Sequence, residues 1–193
     1  MSITNRDLDL LARDVAYELG IVGAQISVLH GGHLAEGATG VANFATGLAV
    51  TPDTMFQIGS TTKVFTAALV MNLAEEGRIR LDTPVVEQLP GFALSDPDAR
   101  QTVTPRHLMS MSGGIDNGPY SDYGRGDDAL AHYVASLAQL PHLFPPGSAF
   151  GYSNASTCVS GRMVEHITGV SWERALRSRY RGALTVRQCQ PVR

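Results

Sequence analysis

Leu8, Leu11, Ala12, Val15 and Leu19 recur at helical spacing, which predicts an amphipathic helix at the start of the chain. Thr4 and Asp7 are placed as a capping box ahead of it, and Gly20 as its C-terminal stop. Residues 21–29 read as a buried strand, Gly31-Gly32 as a tight turn, and residues 34–42 as a second strand, so the two form a hairpin. In residues 60–76, Val64, Phe65, Ala67, Ala68, Leu69, Val70, Met71 and Leu73 leave no polar side. That is the pattern of a helix buried all round, and Gly77 ends it.

The rest of the chain alternates helix and loop. Residues 78–84 are a short connection. Thr104 as cap with Pro105 in the first turn opens one short helix, and Asp128 opens another through Tyr133, Val134 and Leu137. Between them, residues 110–127 are rich in Gly, Asp and Ser, an irregular loop of a length that often lines a site. Phe144-Pro145-Pro146-Gly147 forces a turn. Tyr152-Ser153-Asn154 then precedes a helix over 155–168 that Gly169 closes. No internal repeat and no linker divides the sequence.

Composition narrows the partners. A chain of 193 residues with 44% hydrophobic content buries roughly 70% of its unfolded surface and needs no disulfide or metal to hold a core. A net charge of -3 with 17% charged residues offers no basic patch for nucleic acid and no polybasic stretch for a membrane. No apolar run is long enough to span a bilayer, and residues 1–7 lack the basic-then-apolar pattern of a secretory signal, so the expected location is the cytoplasm. Cys158 and Cys189 form no Cys-x-x-Cys pair and the histidines show no metal-ligand spacing. Two reduced thiols and no metal or redox site are expected, with a small molecule as partner.

The candidate chemistry centres on the single lysine, Lys63, three positions after Ser60; the other fourteen basic residues are arginines. At i and i+3 on a helix the two side chains share a face, the proximity that a nucleophile and its base require. An arginine at this position could not give up its proton to act as that base. Taken singly, each residue has an ordinary alternative. Ser60 reads as a helix N-cap, Lys63 as a solvated charge, Tyr152 as a core aromatic, and Asn154 as the cap of the following helix. His107 reads as a structural hydrogen-bonding histidine, and Trp172 as a packing residue. No Gly-x-Ser-x-Gly elbow is present, which argues against the α/β-hydrolase solution to the same chemistry.

Four ordered segments change these odds together: Ser60-Thr61-Thr62-Lys63, Leu81-Asp82-Thr83-Pro84-Val85, His107 through Gly114, and Phe144-Pro145-Pro146-Gly147 through Phe150, Tyr152, Ser153 and Asn154. Over roughly residues 8–176 the chain resembles the serine β-lactamase and penicillin-binding protein superfamily, in its class C-like branch with esterases and D-amino-acid peptidases. The resemblance implies an α+β, β-lactamase/transpeptidase-like fold in which an antiparallel sheet accompanies a helical region. It implies an acyl-enzyme hydrolase of esters, amides or β-lactams without a metal or cofactor. Ser60 would be the nucleophile, Lys63 the amine that helps take its proton, Tyr152 a second acid/base group, and Asn154 a substrate-orienting amide. A lysine and a tyrosine placed side by side titrate as a coupled pair.

The chain departs from that pattern at its end. Family members carry a third motif, Lys-Thr-Gly or His-x-Gly, on a strand beside the nucleophile, and neither occurs after the Tyr152 segment. The C-terminal sheet strands, one of which supplies the second oxyanion-hole N–H, are expected to be missing, so residues 1–176 read as a partial hydrolase domain. Residues 177–193, without an acidic residue, read as an atypical tail of the kind a reading-frame change or truncation produces. The alternative function is an inactive fragment that at most binds ligands or partners. An open sheet edge would also favour self-association.

Overall fold

The computed structural model describes residues 3–118 and 121–180, and the chain divides into two compact units, Met1–Ile58 and Gly59–Arg193.

In the first unit, helix α1 (Asn5–Leu19) begins as its sequence predicts. Thr4 Oγ1 accepts the Asp7 N–H at 3.3 Å, the Thr4 N–H donates to the Asp7 carboxylate at 2.9 Å, and Gly20 closes the helix in the left-handed conformation, φ 65°. Strands β1 (Gly23–His30) and β2 (His33–Asn43) pair antiparallel from Gly23 opposite Gly40 to His30 opposite His33. The two-residue turn between them needs positive φ at both positions, and Gly31 and Gly32 supply it at 56° and 81°. A short β3 (Leu48–Ala49) pairs with the far end of β2, which gives the order β1-β2-β3.

Helix α1 packs along β2, but through a narrower stripe than the periodicity implies. Leu8, Ala12 and Ala16 are buried, whereas Leu11, Val15 and Leu19 are exposed. β1 is half-buried rather than buried, and Leu29 is largely exposed. The outward-pointing N–H groups of Glu36 and Ala38 on β2 are taken by Asn5 Oδ1 and Asp9 Oδ1, each at 3.0 Å. Helix side chains therefore cover the β2 edge, and among the described residues β1 is an outer strand of the sheet.

Gly37 permits this close approach, since a Cβ there would lie 2.5 Å from the Asp9 nitrogen and 2.7 Å from the Leu8 Cβ. Gly37→Ala is expected to destabilise the chain by about 1–3 kcal/mol, the usual effect of overpacking, read as a lower urea midpoint at unchanged slope. An unchanged midpoint would mean that α1 does not seat on β2 as described.

The second unit is helical among its described residues: α2 (Thr62–Glu75), α3 (Val85–Gln88), α4 (Pro97–Thr102), α5 (Pro105–Met109), α6 (Ala129–Ser136), α7 (Asn154–Thr168) and α8 (Trp172–Tyr180). Helix α7 lies at its centre, against α2, α5, α6 and α8. Its small residues Ala155, Ser156, Ser160 and Gly161 allow that crowding. Leu69, Leu73, Phe92, Leu108, Leu137 and Met163 are the largest buried side chains of this core.

Helix α2 is not buried all round. Thr66, Leu69, Val70 and Leu73 are covered, while Val64 is 67% and Met71 43% exposed. Apolar composition on every side says what a helix can bury, and the neighbours decide which side is covered. Here α7 and α8 pack against one side of it.

The Leu81-Asp82-Thr83-Pro84 segment is held by Arg106, which reaches both Asp82 carboxylate oxygens at 2.6 and 2.8 Å and donates its backbone N–H to the Leu81 carbonyl. Hydrogen bonding from Arg106 keeps the Asp82 carboxyl below its ordinary pKa. The pair is exposed, so its contribution to stability is small.

Helix α8 runs through residue 180, past Leu176. Arg179 forks onto the Glu76 carboxylate, and the Tyr180 hydroxyl donates to Asn72 Oδ1 at 2.6 Å, both on or just after α2. Residues 181–193, the rest of the segment read as a tail, and with them Cys189, lie outside the described residues.

Candidate active site

Ser60 sits in a 3-10 turn, Gly59–Thr61, that leads directly into α2. Gly59 enters this turn at φ 51°, a left-handed conformation that side chains beyond glycine adopt with strain. Lys63 follows in the first turn of α2, and its Nζ lies 3.1 Å from Ser60 Oγ, as the three-residue spacing predicts. The same ammonium donates to Asn154 Oδ1 at 2.6 Å and stands 4.8 Å from the centroid of the Tyr152 ring. The Tyr152 hydroxyl donates to Ser60 Oγ at 2.5 Å. All four residues selected from the sequence are thus brought together, from segments about ninety residues apart.

The local backbone explains the second half of this cluster. Ser153 is extended, φ -136° and ψ 119°, so the side chains on either side of it turn away from its own. Ser153 is buried. Its Oγ donates to the Ile115 carbonyl at 2.9 Å and accepts the Ser156 N–H at 3.0 Å, which makes it the N-cap of α7. Asn154, read from the sequence as the alternative cap, is instead the first helical residue and keeps its side chain for Lys63. Ser60 is not a cap either. Thr61 occupies that position, without a side-chain capping bond.

One contributor has no sequence signal of its own. Asn117, in the Gly/Asp-rich loop, accepts the backbone N–H groups of Asn154 and Ala155 on its Oδ1 at 2.6 and 3.0 Å. Only the composition of that loop pointed in its direction. His107 is structural, with Nδ1 accepting the Thr104 N–H at 3.3 Å while Thr104 Oγ1 caps the His107 N–H.

The electrostatics make the Tyr152 hydroxyl easier to ionise than a free phenol. Hydrogen bonding to the Lys63 ammonium first, and to Ser60 second, holds the Tyr152 pKa below its ordinary value of about 10, against a smaller opposing effect of desolvation. Ser60 and Tyr152 are both exposed, so a ligand can reach them. Ser60 Oγ therefore has the Tyr152 oxygen and the Lys63 ammonium both at hydrogen-bonding distance, an arrangement in which the tyrosine, once ionised, can take its proton as it attacks an acyl carbon. Among the described residues, no group of three or more His, Cys, Asp or Glu could hold a metal ion, and no helix is long and apolar enough to cross a membrane.

The model of the Beta-lactamase family matches residues 8–189. The chain belongs to the beta-lactamase family. Among its relatives, Penicillin-binding protein 4 of Amycolatopsis lactamdurans is 45% identical over 82% of this chain and 42% of its own length. Esterase EstB of Burkholderia gladioli is 32% identical over 94% of this chain and 50% of its own. A crystal structure of SurE with D-Leu superposes with a TM-score of 0.74 at 37% identity, over 90% of this chain and 39% of that one. The α+β, β-lactamase/transpeptidase-like architecture read from the sequence is therefore the observed one. The chain spans half or less of the length of these relatives.

Proposed function

We propose that the protein is a serine hydrolase that forms an acyl-enzyme on Ser60 and hydrolyses an ester, amide or β-lactam bond of a small molecule. The observation that carries this reading is the convergence of Lys63 and Tyr152 on one oxygen, Ser60 Oγ, at 3.1 and 2.5 Å. The names of the relatives, a penicillin-binding protein and an esterase, support the substrate class.

In this mechanism Ser60 Oγ attacks the acyl carbon as its proton passes to the Tyr152 phenolate, with the Lys63 ammonium stabilising the phenolate. The Ser60 backbone N–H donates to the developing oxyanion. Tyr152 returns the proton to the leaving amine or alkoxide, the C–N or C–O bond breaks, and the acyl group stays on Ser60. Water, deprotonated by the same phenolate, then releases the acid. Asn154, held on Lys63, orients the acyl group. A stopped-flow trace with a p-nitrophenyl ester tests the scheme. A burst approaching one equivalent of nitrophenolate per chain is expected, and a folded sample with neither burst nor turnover would sink it.

The alternative is a chain whose site binds acyl compounds without turning them over. Under that reading Ser60→Ala and the parent hydrolyse esters at equal residual rates. We also propose self-association through the β1 edge. Light scattering is expected to give a mass above the 20.6 kDa of one chain, and a monodisperse monomer would count against it.

A further inference from the structure

The Asn117 carboxamide does work that the Ser60 cluster cannot do for itself. Three N–H groups at the start of α7 lack partners within the helix, and side chains from outside it take all three. Those of Asn154 and Ala155 go to Asn117 Oδ1 at 2.6 and 3.0 Å, and that of Ser156 goes to Ser153 Oγ. The Asn117 backbone is fixed in turn, because its carbonyl accepts from the Tyr133 hydroxyl of α6 at 3.1 Å. Two positions earlier, the Ile115 carbonyl accepts from Ser153 Oγ at 2.9 Å. Residues 115–117 thus hold Tyr152-Ser153-Asn154 at two points, and the side chains flanking Ser153 are the two that reach Ser60 and Lys63.

From this geometry we infer that Asn117 is a positioning residue. Its side-chain oxygen sets where the Tyr152 hydroxyl and the Asn154 amide stand relative to Ser60 and Lys63, and through them the rate at which Ser60 is acylated. The kinetic half of this inference rests on the hydrolase reading; the positional half does not. Among the described residues Asn117 has no hydrogen bond to Ser60, and its side-chain oxygen acts through the backbone of residues 154 and 155. What matters is an acceptor oxygen at that point, so an aspartate, with the same reach and a charge that suits a helix N-terminus, should replace it.

The test uses the full chain with Asn117→Ala and Asn117→Asp, the fold of each checked by circular dichroism, and takes two readouts. The first is the saturation kinetics of labelling by a fluorophosphonate. For Asn117→Ala the limiting rate is expected to fall ten- to a hundredfold, the range that a shift of about 1 Å produces, with the half-saturating concentration within about threefold of the parent. Asn117→Asp should stay within about fivefold on both. The second is the titration of Tyr152 followed by NMR of 13Cζ-tyrosine, assigned with Tyr152→Phe, which needs no activity. Loosening from Lys63 and Ser60 is expected to move the Tyr152 midpoint upward in Asn117→Ala and to leave it close to the parent's in Asn117→Asp.

Parent-like labelling and titration in a folded Asn117→Ala, or loss of both in a folded Asn117→Asp, would overturn the inference. A parent that is not labelled, combined with an upward shift of Tyr152 in Asn117→Ala, would sink the hydrolase reading and leave the positioning role standing. Should Asn117→Ala fail to fold, the aspartate variant decides alone.

Discussion

Ser60→Ala is expected to lower ester turnover by a factor on the order of a million while leaving the fold intact, the usual cost of removing the nucleophile of a serine hydrolase. Stability should change by less than about 0.5 kcal/mol, because Ser60 is exposed and caps no helix. Steady-state hydrolysis of a p-nitrophenyl ester, with thermal unfolding of both proteins, checks this. A variant as active as the parent would remove Ser60 from the mechanism.

Lys63→Ala is expected to cost about a hundred- to ten-thousandfold in the rate of Ser60 acylation, because Tyr152, the proton-transfer group, loses the ammonium that stabilises its phenolate, and to change its pH dependence. In the parent the reactive form is the phenolate, so the rate should rise with pH and level off above the pKa of Tyr152, which lies below 10. The largest cause of that lowering is Lys63, with Ser60 second. Without the ammonium the midpoint moves up, and the rise is displaced to higher pH. Lys63→Arg keeps a positive charge but puts it on a larger planar group that cannot take the ammonium's place between Ser60 and Asn154. It should retain part of the lowered midpoint and lose most of the rate. Acylation rates across pH for the parent and both variants check these outcomes. A midpoint unmoved in Lys63→Ala would show that Lys63 does not set the ionisation of Tyr152.

What could be read from the sequence was mostly what a few neighbouring residues decide. The Thr4–Asp7 capping box, the Gly31-Gly32 turn and the Gly169 stop each follow from local backbone requirements, and each is present. The spacing of Ser60 and Lys63 placed their side chains beside each other across the turn that enters α2, and the two-residue spacing of Tyr152 and Asn154 held because Ser153 is extended between them. Features set by distant neighbours were not legible. The exposed Val64 and Met71 depend on what packs against α2, and the division of labour between Ser153 as cap and Asn154 as ligand of Lys63 depends on the Ile115 carbonyl and on Lys63 itself. Asn117 lies 37 positions before Asn154 in a loop without periodicity, so no pattern rule joins the two.

The central claim is that Ser60 Oγ is an activated nucleophile in this chain. The intact mass of the purified protein after exposure to a fluorophosphonate, followed by peptide mapping, tests it most directly. The account predicts a single adduct on Ser60, absent from Ser60→Ala. A folded sample that gains no adduct, or one that carries it on another residue, would contradict it.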